Sequence, residues 1–595
     1  MGLVATAIVL VPAIAYRAGK FPALGRLSGF AERVSGIPGW AALPLALLGG
    51  ALIVAVFGMY WDISLHIDNG RDAGPLANPA HYFILIGLLG VFGAGVLGMA
   101  LPEQPTRSSV HLRGTNWDAP VGAILIAACG AFSLVAFPLD DVWHRIFGQD
   151  VTLWSPTHLM LITGASLSVL GAFALHREAL EQKRSTDDPK TTGRGRLILI
   201  PLGGALLIGL NTYMAEFDFA VPQFRMENHP IGLMMASGLA LVTARLVIGA
   251  GGAIGAVGFF ILIRGLLTVI VGPILGETMP HFALYLVEGL CVEGVALLFS
   301  RRGRTASDRP VVFGAAAGAA IGILGLAAEW GWTHLWMVHP WPASLFPEGA
   351  ILGFVMAVAA GTIGGFVGRA LTLGETKLAP APYWALPAAA AAALAVVLIA
   401  LPISPGDART TATLKLDEVT PPPNRTVNAT ITLDPATAAD DAYWFNMTSW
   451  QGGARSIVQT PERLGPGEYR TTQPVPVDGT WKSILRLHTG DQVLGLPVFM
   501  PEDPAIPAAE ISADPTIDRP FQLDSLNLLR EQKDDVPGWL TTISYIAVLV
   551  LWVALIAALV WGLRRIRIRL GSDTPPPTAD ARSTEVGAGK PHPAT

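Results

Sequence analysis

Apolar runs of about 20 residues, enough to carry a helix across a hydrocarbon core, recur along this chain and leave few folds open to it. They fall at roughly 3–16, 40–61, 81–101, 119–138, 157–175, 195–214, 230–249, 253–275, 281–299, 310–330, 348–370, 384–402 and 538–563, about thirteen in all. The runs are rich in Ala, Leu, Gly, Val and Ile. They lack the ~10-residue alternation of membrane barrels, so helices are expected. The 595 residues are 51% hydrophobic and 14% charged, far more apolar than a soluble chain of this length. A net charge of −5 points to no nucleic-acid partner. Cys129 and Cys291 both fall in expected spans, which argues against a disulfide framework or a cysteine metal site.

Lys and Arg in short connections mark the cytoplasmic side of a membrane. Basic residues collect in 17–39, 102–118, 176–196 and 300–309, and again just after the last span at Arg564, Arg565, Arg567 and Arg569. Counting spans, all of these fall on one side. No basic segment precedes the first span, and Arg17 and Lys20 follow it, the reverse of a cleaved signal peptide. The expectation is a multi-pass protein of a bacterial-type inner membrane, with the N-terminus outside and the C-terminus cytoplasmic. Its parts are a membrane domain over 1–402, an extracytoplasmic β-sandwich over 403–510 and an outer connector over 511–537. A last span over 538–563 and a disordered cytoplasmic tail over 564–595 complete it.

The outward connections carry the ionisable residues. The first offers Asp62, His66, Asp68, Asp72 and His81; the second offers Asp140, Asp141, His144, Asp150 and His158. Each has an Asp, a His four residues later, a further Asp, and then Pro-x-His opening the next span. Asp62 to Asp140 is 78 residues and His81 to His158 is 77, which reads as an internal repeat the size of a helix pair. Asp218 lies another 78 residues along. At a helix end, residues i and i+4 share a face, so Asp62 with His66, or Asp140 with His144, can grip one ion. The Pro-x-His brings a ligand from the neighbouring helix. Two imidazoles and a carboxylate suit a divalent transition metal. The candidate ligands are Asp62, His66, His81, Asp140, His144 and His158, with Asp218, His229, His281, His334, His339 and Glu348 as possible additions. Against this stands the plain reading of interfacial hydrogen bonding and helix capping.

The run Asp140, Trp143, His144, Asp150, Pro156, His158 resembles the metal-binding segment in the C subunit of particulate methane and ammonia monooxygenases. The first copy matches with Asp62, His66, Asp72, Pro79 and His81, with Leu65 where the family has Trp. The resemblance covers about 20 residues per copy. It implies metal binding, with copper as the metal, and not hydroxylase activity; the surrounding apolar spans would admit a small apolar substrate. The family motif occurs once per chain, and here it occurs twice.

Residues 406–502 change character. Short alternating stretches separated by Pro, Gly and Asp turns read as a β-sandwich of immunoglobulin-like size. Gly467, Tyr469, Gly479, Trp481 and His488 resemble the pattern of small extracytoplasmic domains of the YtkA/FixH type. Tyr469 and Trp481 are expected in the core, while His488, Met447 and Met500 are candidates for a soft copper site. Within the spans, Arg264, Glu288 and Glu293 are expected to pair as Arg264–Glu, or to form a relay beneath the outer ligands. Three functions fit: a copper protein of monooxygenase-like type, a transporter or metal-handling permease, and a non-catalytic assembly factor that docks membrane partner subunits.

Overall fold

The structure, a computed structural model, describes residues 2–72, 74, 76–148, 152–184, 194–371, 381–404, 410–506, 508–528, 530–533 and 535–570. The expected tail beyond residue 570 lies outside them. Its helices are α1 (Gly2–Arg17), α2 (Pro22–Ser35), α3 (Gly39–Asn69), α4 (Pro79–Ala100), α5 (Val121–Phe147), α6 (Pro156–Arg184), α7 (Arg194–Asn211), α8 (Ala215–Asp218) and α9 (Asn228–Ile248). They continue as α10 (Gly252–Val269), α11 (Leu286–Arg301), α12 (Pro310–Ala320), α13 (Leu326–Trp336), α14 (Phe346–Leu371), α15 (Ala385–Ala400), α16 (Asp524–Leu528) and α17 (Gly538–Leu570).

Among the described residues, ten helical segments are long and apolar enough to cross a membrane. The difference from thirteen lies in α1, α11 and α15, each of 16 residues. At 1.5 Å per residue they reach about 24 Å, short of a hydrocarbon core of about 30 Å. After Arg17 the chain turns by 91° into α2. Before α11, the residues from Gly276 to Tyr285 leave the helix, with Pro280 lacking a backbone donor and Tyr285 at φ 55°.

The repeat inferred from spacing governs how α3–α4 and α5–α6 pack. A Cβ on Gly87 would sit 2.6 Å from the Ala55 nitrogen and 2.7 Å from the Ala51 carbonyl oxygen. Seventy-seven residues on, a Cβ on Gly164 would meet Ser133 Oγ at 2.1 Å and the Cys129 carbonyl oxygen at 2.6 Å. Ser133 and Cys129 are Ala55 and Ala51 displaced by 78. Both hairpins are thus drawn together at one equivalent glycine, because only hydrogen fits between the backbones.

The β-region is two sheets face to face. One runs in the order 522–523, 492–499, 482–489, 444–450, 457–459; the other runs 516–520, 411–420, 426–434, 468–470, 462–465. Strands Thr516–Pro520 and Gln522–Leu523 extend the sandwich past the expected boundary at 510. Tyr469 is buried against Phe445, as expected of core. Strands Trp444–Trp450 and Lys482–Thr489 are buried on nearly all positions. Phe445, Met447, Leu485 and Leu487 face the other sheet, whereas Trp444, Trp450 and Ile484 join the helical core. The sandwich is therefore seated on the helical region through its second face.

Candidate metal centre

Each hairpin delivers its ligands by the same local construction. Helix α3 ends at Gly70 and α5 at Gly148, with φ 82° and 83°, a conformation that glycine adopts without strain. The turn swings the glycine carbonyl back onto the helix. His66 Nδ1 lies 3.0 Å from the Gly70 carbonyl oxygen, and His144 Nδ1 lies 3.4 Å from that of Gly148. His158 Nδ1 lies 2.8 Å from the Thr152 carbonyl oxygen. A carbonyl only accepts, so in each ring Nδ1 carries a hydrogen and Nε2 is the nitrogen turned away from the backbone.

These Nε2 atoms, and that of His81, face carboxylates. His66 Nε2 is 3.5 Å from Asp62 Oδ1 and 3.6 Å from Asp72 Oδ2; His81 Nε2 is 3.0 Å and 3.7 Å from the same two oxygens. In the second hairpin, His144 Nε2 is 3.2 Å from Asp140 Oδ2, and His158 Nε2 is 3.3 Å from Asp140 Oδ1. A neutral imidazole nitrogen facing a carboxylate oxygen sets two acceptors against each other. A cation between them, whether proton or metal ion, resolves the conflict. Ligands about 2.0–2.2 Å from an ion lie about 3–3.5 Å apart at right or tetrahedral angles, and the contacts of the four imidazoles with Asp62 and Asp140, 3.0–3.5 Å, fall in that range. Asp72 Oδ2 is buried with no hydrogen-bond donor, which also suits a cation. Asn78 Nδ2 donates to Asp62 Oδ1 at 2.6 Å and Thr157 Oγ1 to Asp140 Oδ1 at 2.6 Å, so each carboxylate is aimed by a further contact.

Asp62, His66, Asp72 and His81 form one group, and Asp140, His144 and His158 another, with potential ligand atoms within 4.8 Å of one another in each. Asp150, the repeat equivalent of Asp72, lies outside the described residues. Asp62, His66 and His81 of the first group and all three residues of the second line a single cavity of about 1040 Å³, walled mainly by α3, α6 and α7. Glu216 lines it too, accepting from Thr152 Oγ1 at 2.9 Å, Leu153 N at 3.1 Å and Gln223 N at 3.2 Å. Trp450 and Gln451 of the sandwich and Leu528 of α16 close the polar end.

Compared with family models, with curated proteins and with solved structures, the chain matches none.

The other candidate ligands are drawn elsewhere. Asp218 is buried against Arg264, with Oδ2 2.8 Å from the guanidinium, and also accepts from Tyr60 Oη at 3.3 Å. That contact replaces the expected Arg264–Glu pair. Glu293 instead meets Arg245 at 2.8 Å, and the Glu288 carboxylate is buried without a hydrogen-bond partner. His229 stacks on Phe217 and accepts from Trp341 Nε1 at 2.9 Å. His281 packs on Trp336 beside the Asp218 carbonyl. His334 is exposed over Trp330, His339 stacks on Trp444, and Glu348 meets Arg225 at 3.0 Å. Nor do His488, Met447 and Met500 make a soft site. His488 Nδ1 donates to the Gln492 carbonyl at 2.8 Å and Nε2 accepts from Met226 N at 2.9 Å, leaving no lone pair. Met447 is buried in the sandwich core.

Proposed function

We propose that this is an integral membrane protein that binds a transition metal, copper being the favoured ion, at the duplicated Asp/His clusters on its outer face. The carrying observation is the convergence of His66, His81 and Asp62, and of His144, His158 and Asp140, on one cavity, with Asp72 within ligand reach of the first group and the imidazole Nε2 atoms turned toward carboxylates. Imidazole with carboxylate suits several divalent ions, and the resemblance to the monooxygenase C subunit favours copper. The ten apolar helices support a membrane setting, and the basic connections support an outer position for both clusters and the sandwich. A copper-dependent, monooxygenase-like oxidoreductase acting on a small apolar substrate is the reading that joins a metal site to an apolar chamber. The clusters would supply redox chemistry at the polar end while Trp450, Gln451 and Leu528 limit water access.

A permease fits less well. An ion crossing the chamber needs ligands along its path. Between Met59 and Leu27 the described lining residues of α2 and α3 are apolar apart from Ser35, with no carboxylate or imidazole. The test is metal analysis of the purified full chain beside a His66→Ala/His144→Ala double variant. The wild type is expected to retain metal and the variant to lose most of it. Equal metal content in the two would sink the proposal.

A further inference from the structure

The cavity is far longer than a metal site requires. On α3 its wall is drawn by Ala42, Leu45, Gly49, Leu52, Val56, Met59, Ile63 and His66, residues three or four apart along one face. On α7 the facing wall runs through Ile198, Pro201, Ala205 and Ile208 at the same period, and Thr212 continues it just past the helix. From Ala42 to His66 is 24 residues, or about 36 Å of helix, comparable with a hydrocarbon core. A chamber of that length suits an extended chain.

The end remote from the clusters is formed by α2. Leu27, Phe30 and Val34 line the cavity there and are also 54%, 59% and 62% exposed, so the chamber opens sideways onto the outer surface of the helices. Arg26 and Arg33 stand on the same helix and are exposed, placing positive charge beside an apolar mouth. An acidic headgroup with a hydrocarbon tail satisfies both features at once.

We infer that the cavity binds one long-chain carboxylic acid, its headgroup at α2 and its chain running toward the Asp/His clusters. This rests on the membrane and metal reading above and puts a longer amphiphile in place of a small apolar substrate. Glu216, Thr152 and Gln223 stand with the metal ligands at the far end of the chamber, while carbon walls line the rest.

Gly49 provides the test, because a Cβ built there meets nothing within 4 Å and a larger side chain grows into the chamber. The experiment uses the full chain in amphipol, stripped of lipid, with stearic acid carrying a nitroxide at its methyl end as probe. Wild-type protein should immobilise the probe, and unlabelled palmitic acid should displace it while hexanoic acid should not. Gly49→Phe should bind at least ten-fold more weakly with unchanged metal content. Ala46→Phe, one turn away on the same wall, gives a second blocked variant should the first fold poorly. Binding that is unaffected by either block, or absent in the wild type, overturns the inference. Loss of metal from the wild type would instead overturn the metal reading, whatever the probe does.

Discussion

The unit of this site is a histidine whose far nitrogen is tied to a glycine carbonyl. Gly148 holds the left-handed turn that presents its carbonyl to His144, and it lies under the connector: a Cβ there would come within 2.3 Å of the Glu531 carbonyl oxygen. Gly148→Ala should therefore strain the turn and displace the carbonyl. Contacts of this outer kind are worth about 10–100-fold in metal affinity. The expected outcome is weaker metal binding at the second cluster with the first intact, read by competitive chelator titration against His144→Ala. The duplicated Asp/His/Pro-x-His was legible in the sequence because it is local, held within two helix ends and one loop. The scatter of Asp218, His229, His281 and His339 was not legible. Their partners Arg264, Trp341, Trp336 and Trp444 come from distant elements, and no spacing rule connects them. Asn78 and Thr157 escaped notice for a different reason. They are ordinary helix-start residues whose second role shows only once Asp62 and Asp140 are placed.

At the scale of elements, the sandwich was legible as alternation, but its seat was not. Strand Trp444–Trp450 buries both faces, so polar residues such as Asn446, Thr448 and Ser449 lie inside, against the helical region or along the sheet. His488 marks that seat: it lies beside Trp444 and Tyr443, 4.0 Å from Glu227, and accepts from Met226 N of the helical region. Burial, reinforced by Arg225 and Arg486 and opposed by the Gln492 carbonyl, pushes its imidazole down to about 3. Burial likewise pushes His339 down to about 4. An unfolded imidazole takes up its proton near 6.5, so between that value and the folded one the unfolded chain binds more protons. Stability is then full above about pH 6.5 and falls as the pH drops, by about 2 kcal/mol for His488 alone near pH 5. Apparent melting temperature measured from pH 7 to pH 5 should fall in the wild type and fall less steeply in His488→Gln. Parallel slopes would remove His488 as the cause.

Over the whole molecule, several departures from the sequence reading follow from one fact: the connections that carry the ionisable residues are covered by protein. Apolar length alone cannot separate a crossing helix from a 16-residue helix continued by an extended segment. Pro280 and the backbone at Gly276–Tyr285 are stabilised by partners far away, including Glu329, which accepts from Leu284 N and Tyr285 N. Similarly, Asp68 at the end of α3 accepts from Thr278 N at 2.7 Å and from Ser456 N at 3.2 Å, joining helix, extended segment and sandwich. The connector after α16 adds a strap across the loops that carry the two Asp/His clusters. Glu531 is 2% exposed, meets Lys482 Nζ at 2.8 Å and lies 3.5 Å from Arg71 Nε beside Asp72, while Lys533 N donates to the Phe147 carbonyl at 2.7 Å. Arg71 also pairs with Asp503. Glu531→Ala removes the acid from a nearly buried pair, a change that costs about 3 kcal/mol where the remaining charge stays enclosed. Hydrogen exchange should then accelerate in residues 70–72 and 146–148 together, because one strap holds both, while α9 and α14 keep their protection. Acceleration in one loop only would mean that the loops are held separately, and that the connector does not unite the two clusters under a single roof.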